Sequence, residues 1–211
     1  HDQKRDLEKR APREQNTETR RFLMTMDLSP EEKAARARAD LRIGAPVVLT
    51  SASGAALVLS AETVSAERLV DLVALAPDGL DLAVSHWRAE TLKARAYDGD
   101  LARIAVPTDA GLNWVRATAD PSLDLANPLR GLYCYCFVVY GDLHRLAIQL
   151  CKQARVLPSA LVAVWPDLPA LAADVDLSGL SSLDEMLLHR AADASISMTL
   201  VSGARVPTRF A

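Results

Sequence analysis

The sequence predicts an α/β chain, with α+β left open, and three observations carry that expectation. Helical and strand-like apolar patterns intermix along the chain rather than segregating into blocks. Residues 142–164, DLHRLAIQLCKQARVLPSALVAV, read as one continuous unit: a capped helix, a proline stop and a buried strand. Half of the 211 residues are hydrophobic, enough for one sizeable core with a small appendage.

The elements follow in order. Ser29-Pro30-Glu31-Glu32 is a helix start: Ser29 caps, Pro30 fits the first helical position and Glu32 closes a capping box. That helix is expected to reach Ile43, with Gly44 supplying the left-handed residue beyond it. Pro46–Leu49 and Ala56–Ser60 read as strands joined by the turn-rich TSASGA. Ser65 is placed to cap a helix through Ala76, ended by Pro77-Asp78-Gly79. Leu80–Val84 reads as a strand, and Ser85 or His86 opens a helix through Ala96. Leu101–Val106 and Trp114–Thr118 are read as strands, and Asp120-Pro121 and Asn127-Pro128 bracket an irregular stretch.

Within the 142–164 unit, Asp142 is the expected N-cap. Leu143, Leu146, Ala147, Leu150, Cys151 and Ala154 form one apolar stripe, Lys152 and Arg155 suit the last turn, and Pro158 stops the helix before the strand Ala160–Val164. Ser182 and Glu185 form a second capping box with a helix to Asp193, and Ile196–Val201 reads as a closing strand. Val47, Val58, Val84 and Val162 are expected around a shared interior.

Gly131–Gly141, GLYCYCFVVYG, carries four of the ten aromatic residues and is apolar on both faces of a strand. Such a segment belongs in a core or at a dimer interface.

Residues 1–26 have almost nothing to bury and read as a disordered charged arm; residues 1–21 hold seven basic and five acidic side chains. Met24 or Met26 is a candidate natural start. Residues 27–203 form the expected domain, and 204–211 read as the start of a linker, so the chain is expected to be a piece of a longer protein. A net charge of −3 argues against nucleic acid or an anionic membrane as a partner. No apolar run approaches the roughly 20 residues of a membrane span, and no signal-peptide core is present. Three cysteines do not make a disulfide framework, which points to a reducing cytoplasm.

Chemistry-bearing patterns are sparse. Cys134, Cys136, Cys151 and His144 are the zinc candidates by residue type, but Cys151 lies on an apolar stripe and reads as a small buried hydrophobe. His86 and His189 read as amphipathic surface residues. The sequence has no G-x-S-x-G, no G-x-G-x-x-G and no P-loop. Asp174, Asp176, Asp184 and Glu185 fit loop and cap roles. Arg68, Arg88, Lys93 and Arg95 could attract a phosphate but read as a solvated face.

Five segments carry a resemblance. RARADLRIGAPVVL (36–49), LVLSAETVSAERL (57–69), LDLAVSHWRAETLKARAY (80–97), ADPSLDLANPL (119–129) and LAIQLCKQARVLPSALVAV (146–164) resemble, in order, segments of 3,4-dihydroxy-2-butanone 4-phosphate synthases. The resemblance implies that family's mixed sheet with surrounding helices. It also implies an acidic loop after the first strand, binding magnesium and sugar phosphate, and a Gly-His-Thr-Glu motif before the late helix. Here the loop is Thr50-Ser51-Ala52-Ser53-Gly54-Ala55, without a carboxylate, and the motif positions are Asp142, Leu143, His144 and Arg145. Hard cations require oxygen ligands, preferably charged, so no catalytic, cofactor-binding or metal-binding residue is carried over.

This form resembles the N-terminal domain of bacterial GTP cyclohydrolase II proteins. The resemblance implies a non-catalytic domain in riboflavin biosynthesis, attached to a C-terminal hydrolase domain and forming a homodimer. No cofactor is expected in this chain; zinc is expected only in the missing C-terminal domain. Two alternatives stay open: a divergent sugar-phosphate or nucleotide enzyme using His144 as base and Arg145 for phosphate, and a homodimeric interaction module built on residues 132–139.

Overall fold

The computed structural model describes residues 27–94, 99–127 and 141–196. The expected arm at 1–26, the aromatic stretch up to residue 140, positions 197–201 of the closing strand and the segment 204–211 lie outside the described residues. Ile196, expected to open that strand, ends a helix instead.

The chain enters through α1 (Pro30–Arg42), whose capping box forms as expected: Ser29 Oγ accepts from Glu32 N–H at 3.2 Å and Glu32 accepts from Ser29 N–H at 2.7 Å. Gly44 follows at φ +72°, and a Cβ there would run into the Thr63 carbonyl. β1 (Val47–Ser51) and β2 (Gly54–Ser60) form an antiparallel hairpin in which Ser51 pairs with Gly54. The strands therefore consume most of the expected turn. Gly54 lies at φ +149° against the Trp165 carbonyl, 2.5 Å from where a Cβ would stand.

α2 (Ala66–Leu75) is capped by Ser65, and β3 (Asp81–Ser85) leads into α3 (His86–Thr91), capped by Ser85. The helix expected to reach Ala96 stops at Thr91. Lys93 takes φ +54°, and the N–H groups of Lys93 and Ala94 return to the carbonyls of Glu90 and Ala89, closing the last turn. β4 (Leu101–Ala105) follows.

The expected strand at Trp114–Thr118 is instead part of α4 (Leu112–Ala119). Val115, Thr118 and Ala119 are buried at spacings of three and four, a helical period that a five-residue window conceals. A short 3₁₀ turn (Pro121–Leu123) ends this region.

α5 (Gly141–Ala154) closes with Arg155 in a left-handed conformation at φ +58°, three residues before Pro158, and β5 (Ser159–Trp165) follows. α6 (Leu168–Asp174), capped by Asp167, was not foreseen. Nor was β6 (Ser181–Asp184), which takes Ser182 out of the expected capping box. The cap of α7 (Glu185–Ile196) is accordingly Asp184, which accepts from Leu187 N–H at 2.7 Å, and not Ser182.

The six strands form one mixed sheet in the order β4-β3-β5-β2-β1-β6, antiparallel throughout except for β1 and β6. Helices cover both faces, giving two buried clusters. Leu57, Leu59, Leu82 and Leu161 meet Leu69 and Leu72 of α2 and Val115 of α4. On the other face Val47, Val58 and Val162 meet Leu41 of α1 and Leu146 and Leu150 of α5. Each leucine buried in this way contributes about 1.5–3 kcal/mol. The expected four-valine interior is therefore divided. Val84 is fully buried, but on the opposite face, because its alternation in β3 places it with Leu82. Among the described residues no helix is long and apolar enough to cross a membrane.

Candidate functional site

The polar features concentrate where the β1–β2 turn meets the start of α5. β5 is antiparallel to β2, and so parallel to β1; α5 runs back against it and brings its first turn to the Ser51–Gly54 turn. Asp142, the second residue of α5, does not serve as its cap. Its carboxylate reaches across to the turn, where Ser51 Oγ donates to Oδ2 at 2.8 Å. Ser53 Oγ lies 2.7 and 2.6 Å from Oδ1 and Oδ2. Ser53 N–H donates in turn to Ser51 Oγ at 3.2 Å. Burial opposes ionisation of Asp142, but the hydrogen bonds from Ser53 and Ser51 and the backbone N–H groups of the first helical turn outweigh it. Together they hold the carboxyl below its ordinary value.

The next two side chains of interest diverge, because adjacent helical residues point about 100° apart. His144 turns inward, is only 1% exposed, and places Nε2 2.9 Å from Asp81 Oδ2 at the start of β3. Arg145 turns outward and pairs Nε with Asp100 Oδ2 and Oδ1 at 2.9 and 3.1 Å. Beside Arg145 runs a groove of about 380 Å³, with Asp142, Lys152 and Glu185 on its rim and Leu101, Leu146 and Ile148 beneath. His144 does not line it. A shared active site for His144 as base and Arg145 as phosphate ligand therefore has no common cavity among the described residues.

The zinc candidates do not converge either. Cys151 and His144 are seven residues apart on α5, about 10 Å along the helix axis, too far to share one ion at bonds of about 2 Å. Burial pushes the Cys151 thiol up to about 12, away from the thiolate a metal requires. Cys134 and Cys136 lie outside the described residues. Among the described residues no three His, Cys, Asp or Glu side chains group as a metal would need.

Of the cations read as a solvated face, Arg88 is the correction. It is 6% exposed and forms a clamp: a two-pronged ion pair with Asp124 at 2.8 Å, with further donation to the Thr118, Ala117 and Asp120 carbonyls. Arg68 donates to the Gly44 carbonyl, Lys93 ends α3 in its left-handed conformation, and Arg95 lies outside the described residues. His86 and His189 are surface residues 3.3 and 3.9 Å from Glu90 and Glu185, one helical turn away. Asp176 accepts from Ser178 N–H, as a loop role would have it, whereas Asp174, the last residue of α6, accepts from the Trp165 indole. The Ser51–Ser53–Asp142 cluster and the Asp81–His144 pair were not foreseen. Their partners are 63 to 91 residues apart, and no local spacing encodes them.

No protein-family model and no curated protein sequence matches the chain. Solved structures do. A cation-free 3,4-dihydroxy-2-butanone 4-phosphate synthase superposes with a TM-score of 0.60 at 13% identity, over 77% of this chain and 98% of its own. A synthase in complex with two magnesium ions gives 0.57 at 13% identity, over 76% and 96%. A two-domain synthase from A. baumannii gives 0.55 at 14% identity, over 74% of this chain and 56% of that protein. The chain thus has the fold of these synthases, and it spans little more than half of the two-domain one.

The described residues do not fit a magnesium centre of the kind the fold family implies. The β1–β2 turn has hydroxyl side chains and no carboxylate of its own, and among the described residues Asp142 alone brings a carboxylate to it, fewer charged oxygens than a hard cation prefers.

Proposed function

We propose that the chain is a non-catalytic domain of synthase fold within a riboflavin-biosynthesis protein of the reducing cytoplasm. In this reading it supports a zinc-dependent, GTP-hydrolysing domain of the GTP cyclohydrolase II type encoded downstream, and it pairs with a second copy of itself. Two things support the reading: five segments that resemble the synthases in order, and a fold shared with them.

The observation that carries the non-catalytic part is the Asp142 cluster. At the turn where the resemblance implies a carboxylate-rich cradle, Ser51 and Ser53 donate to Asp142, the one acid that reaches it among the described residues. One carboxylate and two hydroxyls make a weaker cradle for a hard cation than a set of carboxylates. His144, one residue from the position where the resemblance implies a histidine, is paired inside the domain with Asp81.

The test is direct. Purified chain incubated with ribulose 5-phosphate and magnesium is expected to form no dihydroxybutanone phosphate. Magnesium-dependent turnover by the purified chain would overturn the non-catalytic assignment. The partner is tested separately by the coding sequence beyond Ala211, where a cysteine followed some ten residues later by Cys-x-Cys is expected. An unrelated downstream domain overturns that part alone. Light scattering tests self-pairing, for which a monomer is the contrary result.

A further inference from the structure

We draw no further inference here: the strongest candidate, the cleft between the first turns of α1, the edge strand β6 and the start of α7, with Leu28, Leu180 and Leu187 on its wall, carries nothing, because Arg36 is paired with Asp40, Asp184 caps α7, and nothing in the structure shows what covers the leucines.

Discussion

Two polar knots in this molecule look alike as hydrogen-bond diagrams and differ in what they do. The Arg88 clamp buries a full charge and spends its donors on Asp124 and three backbone carbonyls of the 117–124 segment. The Asp142 knot is half-buried and ties the first turn of α5 to the β1–β2 turn through two serines. The clamp gives an irregular stretch its shape, because carbonyls that leave a helix need donors. The knot holds no irregular chain together; both elements it joins are already packed. It joins the start of a helix to a turn through the chain's own hydroxyls. Removing each knot therefore affects different properties.

The largest effect is expected at the clamp. Arg88→Ala removes a buried guanidinium from Asp124 and from three backbone carbonyls, and should cost about 3–5 kcal/mol in urea unfolding. Arg88→Lys should restore less than half, since a single ammonium cannot reach both the carboxylate and the carbonyls. A loss under about 1 kcal/mol for Arg88→Ala would mean that the stretch holds its shape without the clamp.

The Asp81–His144 pair should rank second. His144→Ala opens a cavity and leaves Asp81 facing the core, for about 2–4 kcal/mol. Asp81→Asn keeps a hydrogen-bonding oxygen at the same place and should cost less than half of that.

The Asp142 knot is expected to be legible mainly through pH. Its folded pKa lies below the ordinary 3.8, so its contribution is fully present above that value and is lost as the pH falls through the lower folded one. The stability difference between wild type and Asp142→Asn should therefore be flat near neutrality and shrink in acid. Ser53→Ala should move that loss to higher pH. A difference that grows on acidification would contradict the hydrogen-bond account.

The smallest effect belongs to the exposed Arg145–Asp100 pair. Arg145→Ala should cost under about 1 kcal/mol and less still at high salt. An equal loss at low and high salt would mean that Arg145 acts through packing.

What could be read without the structure was local. Ser29 and Glu32 specify a helix start because both partners of the box lie within four residues, and Pro158 marks a stop because its ring excludes the helix whatever surrounds it. Trp114–Thr118 misled because five residues show no period, whereas Gly111 before them caps the helix without a side chain. The edge strand β6 was hidden because its four residues carry two polar, outward side chains and gain their ladder only by lying parallel to β1. Arg88 reads as a surface residue because a charged side chain on a short helix is ordinarily solvated. Its burial is caused by a loop 30 to 36 residues away.

The sequence by itself determined the alternation of helices and strands, most of their caps and stops, and the absence of acids from the first turn. Each depends on the conformational preferences of a few neighbouring residues. Tertiary structure alone decided the strand order, the division of the valines between two faces, and the partners of Asp142, His144 and Arg88. Those depend on which distant surfaces bury one another. A buried charge takes whatever counter-group the packing delivers, because leaving it unpaired costs more than any local preference can offset.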